Sequence, residues 1–285
     1  MSSGEQGHDV TERTQARTVT CDLSFSVAEP AEVIIQVVAS RSAGHVEDQR
    51  FAATTDGHAP TSVEEIVSRD GATMHIIGTD PGRLTVSYRS TLRPQSPGAG
   101  SLLDAEFERQ VYLRPSRYCP SDHLVGFAVA EFGTGPDVTA RVGTITEWIR
   151  HRTGYVAGSS SVHDSAEDTL LTGVGTCRDF AHLGIALCRA TGIPARFVAV
   201  YAPGLSPMDF HAVFEAFEEG VWRVHDATGL APRQSLVRIA TGRDAADTAF
   251  AAVTKGIAEL DDVVVSATAS PGLALDDQTS LATLA

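Results

Sequence analysis

The chain has 285 residues, of which 42% are hydrophobic and 20% charged, with a formal net charge of −14. This is the balance of a folded soluble protein, long enough for two modest domains or one large domain with an appendage. The acidic excess argues against nucleic acid, whose phosphates require clustered Lys and Arg. No apolar run approaches the roughly 18 residues of a membrane span, so no membrane partner is expected.

Residues 1–15, "MSSGEQGHDVTERTQ", are polar and lack an apolar signal core. They are expected to be a disordered lead in a cytoplasmic protein. From residue 16 to 92 the pattern has period two. Val19, Cys21, Leu23, Phe25 and Val27 alternate with polar residues, as do Val33, Ile35, Val37 and Ala39, and then Leu84, Val86 and Tyr88. Alternation of this kind predicts half-buried antiparallel strands. Asp56-Gly57, Asp70-Gly71 and Asp80-Pro81-Gly82 supply turns between them. A small antiparallel β domain over 16–92 and a Pro/Gly/Ser linker over 93–101 are therefore expected.

Beyond the linker the period changes. Helices are predicted over 102–113 and 122–132, and a clearer one opens at Pro136-Asp137 with Val142, Ile145 and Ile149 on one face. Ser165 and Asp168 fit a capping box before a short helix ending near Thr172. Another helix should run from Cys177 to about Ala190 and stop at Gly192, with Pro194 beyond. Four strands follow in "ARFVAVYA", "HAVFEAF", "VWRVHDAT" and "SLVRIAT", and the end of the chain, 266–285, reads as a loose tail. Segregated helices and antiparallel strands make the fold class α+β, with a second domain over 102–265.

The four cysteines, Cys21, Cys119, Cys177 and Cys188, show no metal-ligand spacing, and no metal or other cofactor is expected. Cys177 and Cys188 on one helix would stand about 16 Å apart. A disulfide needs Cα atoms within about 7 Å, so reduced thiols are expected.

Cys177 follows "GVGT" at a helix start. A thiol is a nucleophile as thiolate, and the unpaired N–H groups and positive dipole end of a helix start favour that form. The Cys177 N–H would also serve as an oxyanion donor. Such a thiol needs a base, and the base needs an orienting group. "DFHAVFEAFEEGVWRVHDATG" carries His211 and Asp226 on one predicted hairpin. If the turn is Glu219-Gly220, Glu218 faces Val221, and His211 and Asp226 become diagonal neighbours on one face. His225 then falls on the other.

This set of residues resembles the transglutaminase-like branch of the papain-like cysteine enzymes. "GVGTCRDFAHLGIALCRATGIPARFV" is similar to that family's nucleophile block, and "DFHAVFEAF" and "VWRVHDATG" to its His and Asp blocks. "YLRPSRYCPSD" and "GRDAADTAF" are typical of bacterial members with an N-terminal β domain. The resemblance implies a nucleophile helix packed on an antiparallel sheet, with Cys177, His211 and Asp226 as catalytic triad. It implies a peptidase or amidase acting on a peptide or amide substrate through a thioester. Amine transfer in the same site is the alternative, and a non-catalytic binding scaffold is a second. Lys255 is the only lysine, which suits amine transfer by avoiding self-cross-linking, although codon bias gives the same result. The family's Asp-Pro-Thr is here Asp226-Ala227-Thr228, which keeps the carboxylate. A second oxyanion donor is sought in the 155–164 loop, and no calcium site is evident. Arg178 and Asp179 are expected to be structural, His182 a buried histidine turned away from Cys177, and Cys188 core packing.

Overall fold

A computed structural model describes residues 15–94 and 102–284. The expected disordered lead, apart from Gln15, and most of the expected linker lie outside the described residues. Strands β1 (Ala16–Val27), β2 (Ala31–Ile35), β3 (His45–Thr55), β4 (Ser62–Val67), β5 (Thr73–Thr79) and β6 (Gly82–Arg93) come first. Helices α1 (Leu102–Val111), α2 (Val125–Phe132) and α3 (Val138–Arg152) follow, and Asp137 caps α3 by accepting the Ala140 N–H at 2.9 Å. Short parallel strands β7 (Gly154–Tyr155) and β8 (Val174–Gly175) flank helix α4 (Ala166–Thr172), and α5 spans Cys177–Ala190. Then come β9 (Ala195–Tyr201), β10 (Phe210–Glu218), β11 (Val221–His225), β12 (Val237–Gly242), β13 (Ala251–Lys255) and β14 (Ala258–Ser270).

The alternating residues of the first strands do what their period dictates. Val19, Leu23, Phe25, Val33, Ile35 and Leu84 turn inward into one core between two four-stranded sheets. These sheets have the orders β14-β1-β6-β3 and β13-β2-β5-β4. Here the structure corrects the expected boundaries. Residues 251–265 do not belong to the 102–265 domain, and of the expected loose tail over 266–285 the described residues 266–284 are not loose. β13 pairs with β2, and β14 runs along the whole of β1, from Ala16 opposite Ser270 to Val27 opposite Ala258. The physical reason is burial, because Val265 and Ala267 join the sandwich core. Residues after β14 are also held. Arg233 pairs with Asp276, both almost fully buried, the Val224 N–H donates to the Ala282 carbonyl at 2.9 Å, and Ala282 and Leu284 are buried against the sheet.

The inserted unit is built on a four-stranded antiparallel sheet ordered β11-β10-β9-β12. Its α5 helix lies along β10. Gly184 faces Phe214 so closely that a Cβ there would stand 2.5 Å from the ring, which explains the glycine within the helix. The unit is fixed to the sandwich by the Tyr201 hydroxyl, which donates to the Val37 carbonyl at 2.6 Å, and by the Ser40 N–H, which donates to the Arg238 carbonyl at 2.8 Å. Glu215 is buried between Arg196 and Arg238. Burial opposes its ionisation, yet the two guanidinium groups hold its carboxyl at about 2.

Candidate active site

Cys177 occupies the first position of α5. The chain arrives through Gly173, whose φ of 68° ends α4, and through Gly175, where a Cβ would stand 2.7 Å from Asp179. Asp179 reaches back to accept the Thr176 N–H at 2.7 Å and its hydroxyl at 2.9 Å, which closes a capping box. That gives Asp179 the expected structural role. Arg178 pins the preceding loop by donating to the Ser161 carbonyl at 2.5 Å and to the Ser160 hydroxyl at 3.2 Å, and its guanidinium lies over Tyr118. The Cys177 N–H, one of the first four of the helix, has no carbonyl of its own helix to bond and is available as a donor at the thiol.

The hairpin β10–β11 sets the base. Glu219 and Gly220 turn with φ of 49° and 85°, so Glu218 pairs with Val221 and Phe214 with His225. This register puts His211 and Asp226 on one pleat, and His211 Nε2 bonds Asp226 Oδ2 at 2.9 Å. The other carboxylate oxygen, Oδ1, accepts the Thr228 N–H at 2.9 Å and its hydroxyl at 2.6 Å. Arg150, from the last turn of α3, donates to the Asp226 carbonyl at 2.9 Å. Both Asp226 oxygens are therefore committed, one of them to the imidazole.

Burial alone would lower the basicity of His211. The charge and hydrogen bond of Asp226, aided by the adjoining Cys177 side chain, raise it instead to about 10. Asp226 is buried too, but His211 and Thr228 hold its carboxyl below the usual range. With Nε2 given to Asp226, the buried Nδ1 has no hydrogen-bond partner among the described residues and is the nitrogen left for the thiol. Cys177 is half-buried, whereas Cys21, Cys119 and Cys188 are buried, and burial pushes Cys21 and Cys119 up to about 12 and Cys188 higher still.

His225 sits on the opposite pleat. It bonds Glu218 Oε1 at 2.6 Å and stacks on Phe214 at 5.4 Å. His182 is fully buried, accepts the Ala245 N–H at 3.1 Å and stacks on Tyr118, and burial drives its pKa down to about 3. Neither ring is part of the thiol site.

Sequence reasoning missed Asp209 and Arg150, and reached Tyr155 only as the first residue of the 155–164 loop. Tyr155 pairs with Gly175 across β7–β8, and its ring lies 6.1 Å from that of Phe180, over the first turn of α5. Its hydroxyl is held above its ordinary pKa by burial and then by the negative charges of Cys177, Asp209, Asp226 and Asp179. A lone tyrosine at the edge of a Gly/Ser-rich stretch gives no signal of this placement. Among the described residues no three His, Cys, Asp or Glu side chains are grouped to hold a metal, and no helix is long and apolar enough to cross a membrane.

Residues 128–227 match the sequence pattern of the Transglutaminase-like superfamily. A crystal structure of a provisionally assigned cysteine protease from Cytophaga hutchinsonii is 35% identical over 94% of this chain and 96% of its own, with a TM-score of 0.82. An uncharacterised protein of Mycobacterium leprae is 28% identical over 170 residues, which is 55% of this chain and 60% of that relative's length. The periplasmic domain of TgpA from Pseudomonas aeruginosa is more distant, at 19% identity over 79% of this chain and 94% of its own, with a TM-score of 0.39. With the Cytophaga protein alike in sequence and fold along nearly its whole length, this chain belongs to the transglutaminase-like superfamily.

Proposed function

We propose that the protein is a cysteine-dependent acyl-transfer enzyme that cleaves a peptide or amide bond through a thioester on Cys177. The observation that carries this reading is the buried His211–Asp226 hydrogen bond of 2.9 Å, on a ring whose other nitrogen is left for the thiol. Asp226 raises the basicity of His211 to about 10, so that Nδ1 takes the Cys177 proton as the thiol is activated.

The Cys177 sulfur attacks the carbonyl carbon, and the resulting oxyanion meets the Cys177 N–H at the start of α5. As the C–N bond breaks, His211 gives its Nδ1 proton to the leaving amine. Water then attacks the thioester, passing a proton to His211, and the acid leaves as the sulfur recovers the electron pair. An amine in place of water would give a new amide by the same steps. Asp226 keeps the ring oriented and stabilises its charge throughout.

Brief treatment with iodoacetamide, followed by digestion and mass mapping, should label Cys177 before Cys21, Cys119 or Cys188. Incubation with a peptide mixture and acid quenching should then leave an acyl group on Cys177, absent in Cys177→Ala. Adding a primary amine distinguishes hydrolysis from transfer by the product formed. First labelling at Cys119 or Cys188 would sink the reading.

A further inference from the structure

Asp209 stands two residues before His211, at the entrance to β10. It is an exposed loop residue just outside the strand, and chain geometry keeps its Cα within about 7 Å of that of His211. Its Oδ1 accepts the Phe210 N–H at 2.7 Å, which fixes the carboxylate. Among the described residues, Oδ2 has no donor and no cationic side chain pairs with the group. The other acids near the thiol are all engaged: Asp226 by His211 and Thr228, and Asp179 by Thr176 and Ser160. Tyr155, whose ring lies 6.1 Å from that of Phe180 in the first turn of α5, feels the charges of both Cys177 and Asp209. Met208, the residue before Asp209, is about half exposed.

We propose that Asp209 reads a positive charge on the amine half of the substrate, so that the site prefers amides whose leaving amine, or acceptors whose attacking amine, carries a cationic group nearby. The side is set by His211. That ring hands its proton to the departing nitrogen, so what neighbours it at the entrance to β10 faces the amine half, while the start of α5 faces the carbonyl oxygen. The inference rests on the proposed role of Cys177 and His211 for its link to substrate, but the charge at the thiol is measurable without turnover.

The first measurement is the rate of Cys177 modification, read by mass mapping, with methanethiosulfonates bearing an ammonium, a methyl or a sulfonate group. The native protein should favour the cationic reagent over the anionic one, more strongly at low salt. Asp209→Asn, which keeps an oxygen for the Phe210 N–H, should reduce that ratio about threefold or more, and Asp209→Lys should invert it. Glu64→Gln, on strand β4 of the sandwich, serves as control and should leave the ratio unchanged. The second measurement is the kcat/KM ratio for amides whose leaving groups are matched in shape but cationic or neutral, and Asp209→Asn should lower it to a similar degree. A reagent ratio that Asp209→Asn leaves unchanged, or that Glu64→Gln lowers as much, overturns the role of Asp209. If the reagent ratio responds but no amide is turned over, the proposed reaction fails while the charge reading stands; a substrate ratio that ignores Asp209→Asn overturns the specificity.

Discussion

One hairpin carries two buried histidine–carboxylate pairs, on opposite pleats. His211 meets Asp226 at 2.9 Å and His225 meets Glu218 at 2.6 Å. The helix that bears Cys177 packs on the pleat of His225, with Gly184 against Phe214 and the charge of Glu218 reaching Cys188 deep in the core. By proximity to the helix face, His225 would be the natural base. It is sealed beneath α5 instead, alongside a stretch of helix well past the thiol. His211 lies at the first residues of β10, where the start of the helix meets the open end of the sheet. On the proposed function, a histidine–carboxylate pair acquires chemistry from access to the thiol, and without it the same pair is packing.

The hardest test of this contrast is removal of each ring. His211→Ala is expected to lower kcat/KM by about three orders of magnitude or more, as loss of a triad base does. The next effect is on the pH profile. The His211 proton is retained until about pH 10, so activity in the native protein should fall on an alkaline limb near that value. Asp226→Asn removes the charge that sustains the imidazolium, and should both reduce kcat by about a hundredfold or more and move the limb to lower pH. Stability follows the same sign. The folded value of His211 lies above its ordinary 6.5, so its contribution is full below that pH and is lost as the pH rises towards about 10. An alkaline limb unmoved in Asp226→Asn would break the link between carboxylate and ring. The smallest effect on activity belongs to His225→Ala, which should keep kcat/KM within about threefold. It should cost about 3 kcal/mol in denaturant unfolding, because Glu218 is left buried without its partner. Glu218→Gln in the same background should recover part of that loss.

The register that separates the two histidines was legible in the sequence. Glu219-Gly220 is a two-residue turn, and once it is fixed every residue of the hairpin falls on a defined pleat. The capping residues Thr176 and Asp179 and the glycines before them are local signals of the same kind. What could not be read were relations that no local rule transmits. The alternation in "AELDDVVVSATAS" is interrupted by charge, and its partner β1 lies more than two hundred residues away, so neither period nor turn chemistry announces the pairing. Arg150, Tyr155 and Asp209 reach the site from a helix end, a two-residue strand and a loop boundary, each placed by tertiary packing alone. The pleat on which α5 settles was equally silent, since both faces of β10 are apolar enough to be covered.

The pairing of β14 with β1 also sets an order of events during synthesis. β1 and β2 leave the ribosome early, yet the strands that cover one edge of each, β14 and β13, follow only after the whole unit carrying Cys177 has been made. Until then both sheets present an unpaired edge to the crowded cell, the arrangement most open to pairing with another chain. The closing contacts are among the longest in the protein, and long-range pairing is slow. In the folded chain the Ser116 hydroxyl donates to the Arg243 carbonyl and the Tyr118 N–H to the Asp244 carboxylate. The unit that carries Cys177 thus holds the ends of the stretch over 102–250 together and shortens the loop that β13 and β14 must close.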